Sequence, residues 1–190
     1  MKRDVVDKLW TYLEYGIDVE NRRIFLMQDI EEQSITMVVQ ALYLLETMKP
    51  NEDITLCIGT MGGDMYEMYK LYDVMNTISC DIMTIAMGKC MSAGPLLVAN
   101  GTPGKRYALP NTWFMVHQSQ LAEFNGTLSK VKADIEHETA MDDKWYALME
   151  RQTNRDAKFW RRQCNKNHDV YFNAETAIEY GIVDQIWVEK

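Results

Sequence analysis

Cysteine is sparse and shows no pairing. Four residues, Cys57, Cys80, Cys90 and Cys164, share no CxxC spacing, which excludes a disulfide framework and leaves reduced thiols in or near the core of a cytoplasmic chain. Basic residues are outnumbered, 20 against 28 acidic, for a net charge of −8. Self-repulsion on that scale excludes nucleic acid and anionic membranes as partners. No apolar run reaches the ~18 residues of a membrane span. The start, Met1-Lys2-Arg3-Asp4, leads into an amphipathic pattern with acids in it and not into a signal peptide's apolar core. With three histidines and no His/Asp/Glu cluster at ligand spacing, no metal ion is expected. Proline and glycine, 4 and 10 residues, are too few and too scattered for a linker, so 1–190 reads as one domain. The 14 methionines fall at helical spacing and read as core filler.

What is present is a repeated unit. Val5, Val6, Leu9, Tyr12 and Leu13 mark a first helix ending at Gly16, a residue suited to a left-handed C-terminal cap. The apolar run 24–27 reads as a buried strand, and Ile35, Val38, Val39, Leu42 and Leu45 as a helix closed by Pro50. A second strand, 54–58, gives way to Gly59-Thr60-Met61-Gly62-Gly63 and a helix carrying Met65, Met68, Tyr72 and Met75. A third strand, 81–87, leads through the turn Gly88-Lys89-Cys90-Met91-Ser92 into a buried helix over 93–99. Strand, glycine-containing turn and helix, three times over, predict right-handed crossovers and a mainly parallel sheet, hence an α/β fold. Strand-like runs follow at 107–109 and 113–116. Then come a long polar helix over 128–151, a basic helix near 156–162, and a short helix over 174–180 capped by Asn173 and Gly181.

Ser92 stands where a strand turns sharply into a helix. Such a turn exposes the hydroxyl beside free backbone N–H groups, the surroundings an acyl-transfer nucleophile needs, although serine is also a common N-cap. Gly62-Gly63 ends the preceding strand, where backbone without side chains admits a peptide closely. GTMGGD has neither the glycine spacing of a dinucleotide fingerprint nor the Gly-Lys-Ser/Thr of a phosphate loop, so no ATP or other cofactor is expected on this chain. His137 and His168 read as surface histidines. Lys89 as partner of a Ser-Lys dyad and Cys90 as an alternative nucleophile are weaker than a full triad.

Three stretches then become specific. Gly88-Lys89-Cys90-Met91-Ser92-Ala93-Gly94, Met115-Val116-His117-Gln118, and Asp169-Val170-Tyr171-Phe172-Asn173-Ala174 resemble, in order and spacing, the serine, histidine and aspartate signatures of the ClpP family of serine peptidases. The likeness runs from about residue 24 to residue 187. It implies a fold of repeated β-β-α units, related to that of the crotonases, with a protruding handle over about 119–151. It implies Ser92 as nucleophile, His117 as general base and Asp169 as the group orienting that base. Gly63 and Ala93 become oxyanion-hole donors, and Gly62, Gln118 and Ser119 substrate contacts. It further implies a cytoplasmic homo-oligomer of two stacked heptameric rings, a tetradecamer, cleaving peptides and unfolded proteins in an enclosed chamber. ATP would enter only through a separate AAA+ unfoldase. A non-catalytic ring subunit and a crotonase-type acyl-CoA enzyme are the competing readings.

Departures from the family pattern carry their own expectations. The family's Ser-Pro-Gly-Gly is Thr60-Met61-Gly62-Gly63, and the Pro and Gly-Gly that follow its His-Gln are replaced by the stretch from Ser119 to Gly126. Val170 stands where the family has an arginine that pairs across rings. About three residues precede the first helix, too few for axial pore loops, and an insertion-like stretch spans 16–21. Thr55 and Cys57, taken as the open-face positions of their strand, replace aromatics that help dock an unfoldase, so that docking is expected to be weak. These features suit a divergent member of the kind phages encode.

Overall fold

The computed structural model describes residues 14, 16–120 and 125–188. The first helix read from residues 5–13 lies outside them. Gly16 has φ +64°, in the left-handed region, and its carbonyl accepts from Phe25 N–H at 2.8 Å.

Three strand-helix units follow one another: β2 Arg23–Leu26 and α1 Glu32–Met48, β3 Ile54–Thr60 and α2 Met65–Met75, β4 Ile82–Met91 and α3 Gly94–Ala99. β2, β3 and β4 pair in parallel, as crossovers through helices require. β1 (Ile17–Asp18) adds an antiparallel edge to β2, so the expected insertion at 16–21 is a short hairpin. β5 (Arg106–Ala108) and β8 (Gln185–Ile186) extend the sheet in parallel beyond β4.

The third unit departs from its sequence reading. Residues 88–91, expected as a turn, continue β4. Gly88, at φ +67°, lets the strand bend instead of ending. Its first half pairs β5 through Thr84–Ala86, and its second half pairs β6 (Trp113–Val116) through Lys89–Met91. β7 (Val170–Asn173), not read from the sequence, runs antiparallel to β6. The remaining helices are α4 Leu128–Gln152, α5 Ala157–Cys164 and α6 Ala174–Tyr180.

Apolar side chains from α1 and α2, such as Leu42, Leu45, Met68 and Leu71, close over Leu26, Leu56 and Ile58 of the sheet. A second assembly is aromatic. Trp145, Trp160, Tyr180, Phe172 and Phe114 touch in sequence, with centroids 6.2, 5.7, 5.2 and 5.6 Å apart. This series joins α4, α5 and α6 to β7 and β6, within the separations at which ring pairs attract. Only Trp145, Tyr146 and Met149 of α4 are buried. The earlier turns are largely exposed. They are held near α2 by Tyr66 Oη against His137 Nε2 (2.5 Å) and by Tyr69 Oη donating to Met141 O (2.6 Å).

Two expectations change with the packing. Cys57, assigned with Thr55 to the open face of β3, is fully buried, and burial pushes its thiol up to about 11. The β2 and β4 residues in register with it, Phe25 and Ile85, flank it, so Cys57→Tyr would overfill this position and only Thr55 is half-buried. Val170 is also half-buried and rests against the main core. A charge there would be desolvated, which suits valine better than arginine.

Candidate active site

Strand register assembles the site. Met91 of β4 pairs Met115 of β6, and Val116 of β6 pairs Val170 of β7. Ser92, His117 and Asp169 are each the residue just beyond one of these paired positions, so three sequence-distant side chains emerge at one sheet end. Ser92 N–H donates to Met115 O at 2.8 Å, which pins the turn to β6. Ser92 itself has φ +58°. A non-glycine residue in that region is uncommon and costs on the order of 1–3 kcal/mol, strain that the surrounding contacts hold in place.

His117 Nε2 lies 2.8 Å from Ser92 Oγ, hydrogen-bond distance for a base and the hydroxyl it would deprotonate. Asp169 is farther. Its Oδ1 is 3.9 Å from His117 Nδ1, beyond a hydrogen bond, while its Oδ2 accepts from Tyr171 Oη at 3.1 Å. That bond raises the Tyr171 phenol above its usual pKa.

The two glycines have distinct roles. A Cβ on Gly63, at φ +147°, would come within 2.1 Å of Ile30 O; one on Gly62, at φ +98°, would come within 2.5 Å of Ser92 Cβ. Gly62 therefore gives Ser92 its space, and its carbonyl accepts from Ile30 N–H at 2.8 Å. Among the described residues, neither Gly63 N–H nor Ala93 N–H donates a hydrogen bond. Two free donors beside a serine hydroxyl are what a developing oxyanion needs.

A cleft of about 420 Å³ opens over Ser92, His117 and Asp169, with Met61, Gly63 and Ser119 among its walls. A recess of about 20 Å³ behind Ser92 is floored by Ser119, Asp142, Trp145 and Tyr146. Gln118 lines neither. It faces a separate recess of about 160 Å³ on the far side of Ser119 and Asp142. Cys90 is fully buried, with its thiol pushed well above the usual range, so it supplies no thiolate. Lys89, His137 and His168 are exposed and line none of these cavities. Among the described residues no group of three or more His, Cys, Asp or Glu could hold a metal ion, and no helix is long and apolar enough to cross a membrane.

Sequence reasoning missed Tyr171, Asp142 and Glu138. Glu138, Asp142 and Trp145 follow helical i, i+4, i+7 spacing, a signal that they share one face of α4.

Comparison with known proteins shows the family. The Clp protease family model matches residues 10–190. The ATP-dependent Clp protease proteolytic subunit 2 of Mycobacterium leprae is 36% identical over 171 residues, covering 88% of this chain and 78% of its own. Subunit 2 of Mycobacterium tuberculosis is 35% identical with the same coverage. Subunit 1 of Mycolicibacterium paratuberculosis is also 35% identical, over 88% of this chain and 79% of its own. The repeated α/β units, the handle helix and these matches together place the chain in the Clp protease family, as a serine-type peptidase.

Proposed function

We propose that this chain is the proteolytic subunit of a chambered serine endopeptidase that cuts peptides and unfolded proteins by an acyl-enzyme route. The observation that carries the reading is the 2.8 Å contact of His117 Nε2 with Ser92 Oγ, made at a strained turn beside two N–H groups without acceptors. His117 takes the hydroxyl proton as Ser92 attacks the carbonyl. Gly63 and Ala93 N–H receive the oxyanion, and the imidazolium returns the proton to the leaving amine. Water then hydrolyses the ester by the same steps. Asp169 orients His117 once its carboxylate turns from Tyr171 to Nδ1.

The test is covalent labelling. A fluorophosphonate should react at Ser92 and nowhere else, as peptide mapping would read out. Failure to label assembled protein that hydrolyses peptides would remove Ser92 as nucleophile. A non-catalytic ring subunit is the second reading, favoured by the 3.9 Å gap between Asp169 and His117; unlabelled protein without activity would establish it.

Tyr171→Phe bears on that gap. Loss of the phenol removes a competitor for Asp169, so peptide kcat/KM is expected to rise about two- to tenfold, with the acid limb of its pH profile moved. An unchanged profile would show that Asp169 reaches His117 without release from Tyr171.

The relatives' names describe subunits of an ATP-dependent protease. By that likeness the chain forms two stacked heptameric rings in the cytoplasm, meeting through α4, and receives substrate from a separate AAA+ unfoldase. Thr55 supplies little apolar surface for such a partner, so docking is weak. Sedimentation should give a particle of fourteen 22.2 kDa chains; a fully active monomer would refute the chamber.

A further inference from the structure

Two cavities of very different size meet at Ser92, the cleft of about 420 Å³ and the recess of about 20 Å³. Ser92 and His117 line both. Of the two N–H groups assigned to the oxyanion, that of Gly63 belongs to a residue bordering the cleft alone, and that of Ala93 to one bordering the recess alone. A carbonyl oxygen held between those donors therefore stands on the boundary. The peptide main chain and the leaving amine need the larger space, beside the imidazole that returns the proton. The side chain of the residue that supplies the carbonyl starts two bonds from the attacked carbon, on the Ala93 side, and faces the recess.

A recess of that volume has room for about one water, and its walls are braced. Trp145 is buried and stands edge-on to Tyr146 and Trp160, with centroids 5.6 and 6.2 Å apart. Tyr146, also buried, lies under the Arg161 guanidinium at 4.8 Å, which Asp143 holds at 2.6 Å. Trp160 behind them has no exposed surface. Neither wall ring can turn aside without displacing another, and forcing extra groups into a filled interior is costly. At the floor the Asp142 carboxylate already accepts from Ser119 Oγ, so no unpaired group there rewards a longer side chain. A methyl group fills the space and displaces one water, whereas a branched or aromatic side chain meets Trp145. We infer that Trp145, with Met65 between recess and cleft, is a specificity-determining residue that restricts the position immediately before the scissile bond to glycine or alanine. This rests on Ser92 being the nucleophile, and its test separates the two.

Assembled wild-type protein is given fluorogenic peptides that differ only in alanine, leucine or phenylalanine at that position. The alanine peptide should be cut with kcat/KM about tenfold or more above the other two. Met65→Ala and, separately, Trp145→Leu should each narrow the alanine-to-leucine ratio by about fivefold or more. Met65 is half-buried and outside the ring series, so its truncation keeps the test open should Trp145→Leu fail to fold. The same peptides, uncleaved, are then bound to the Ser92→Ala protein and followed by fluorescence anisotropy, where the alanine peptide should bind most tightly. No hydrolysis of any peptide with that binding order intact would sink the peptidase reading and uphold the recess assignment. Leucine or phenylalanine peptides that are cut, or bound, as well as the alanine peptide overturn the assignment. So does an alanine preference that neither variant reduces.

Discussion

Ser92→Ala is expected to lower hydrolysis of short fluorogenic peptides by about three orders of magnitude or more, while the sedimentation profile stays that of wild type. The hydroxyl's side-chain partner is His117 at 2.8 Å, whereas the backbone bond that fixes the turn, Ser92 N–H to Met115 O, survives the substitution. Chemistry is lost and architecture is kept. His117→Ala should be equally damaging, and the double variant little worse than either single one, because the pair acts as a unit. His168→Ala should have no effect, since its ring bonds Lys166 O and not the site. Retention of more than about a tenth of wild-type activity by Ser92→Ala would exclude this serine as nucleophile.

Arg106→Ala is expected to destabilise the fold by about 3 kcal/mol, read as a lower urea midpoint. The guanidinium bonds Asp184 through Nη2 at 2.5 Å and Nε at 3.0 Å, and also the carbonyls of Ala99, Gln152 and Gly181. One side chain thus ties the ends of α3, α4 and α6 to β5, and truncation leaves several acceptors without a donor. The pair also sets an acid limit. Burial pushes the Asp184 carboxyl up, but hydrogen bonds from Arg106, its charge, and the Gly104 N–H outweigh this and hold it below the ordinary carboxylate value. A depressed folded-state pKa stabilises the fold above the unfolded value of about 3.9 and is lost as pH falls through the lower folded value. Stability should therefore decline below about pH 4, and Asp184→Asn should flatten that part of the curve. An unaltered acid slope in Asp184→Asn would mean that other carboxylates govern it.

Strands with three or more apolar residues in a row, among them β2, β3, the first half of β4 and β6, were legible because a sheet covered by helices demands such runs. The caps were legible too: Asn173 accepts from Thr176 N–H, and Gly181 has φ +77°. β7 was not, since Phe172 is its only fully buried side chain and its partner is distant in sequence. The continuation of β4 past Gly88 escaped notice because a glycine ends a strand in one setting and bends it in another. Arg22 gave no sequence signal at all. It is buried at φ +51° and donates to Leu45 O in the last turn of α1 and to Lys49 O, Glu52 O and Asp53 O beyond it, where carbonyls and the helix dipole favour a cation. At the site, motif order pointed to Ser92, His117 and Asp169, but that Asp169 Oδ2 accepts from Tyr171 Oη while Oδ1 stays 3.9 Å from His117 is a matter of rotamers that spacing does not encode.

The pairing of β6 with β7 has a consequence for how this chain can change. Since that ladder sets His117 beside Asp169, everything the chain does between them is a detour that leaves one strand and returns beside it. Residues early in the detour, such as Leu128 and Ile135, are exposed, and those near its return, Trp145 and Trp160, are anchored in the ring series. Substitutions in the exposed outgoing part change the surface of the subunit, and substitutions in the returning part change the packing beside Ser92 and His117. Surface and packed interior thus lie on separate stretches of a single excursion, free to drift independently while the strands keep the reactive groups in register.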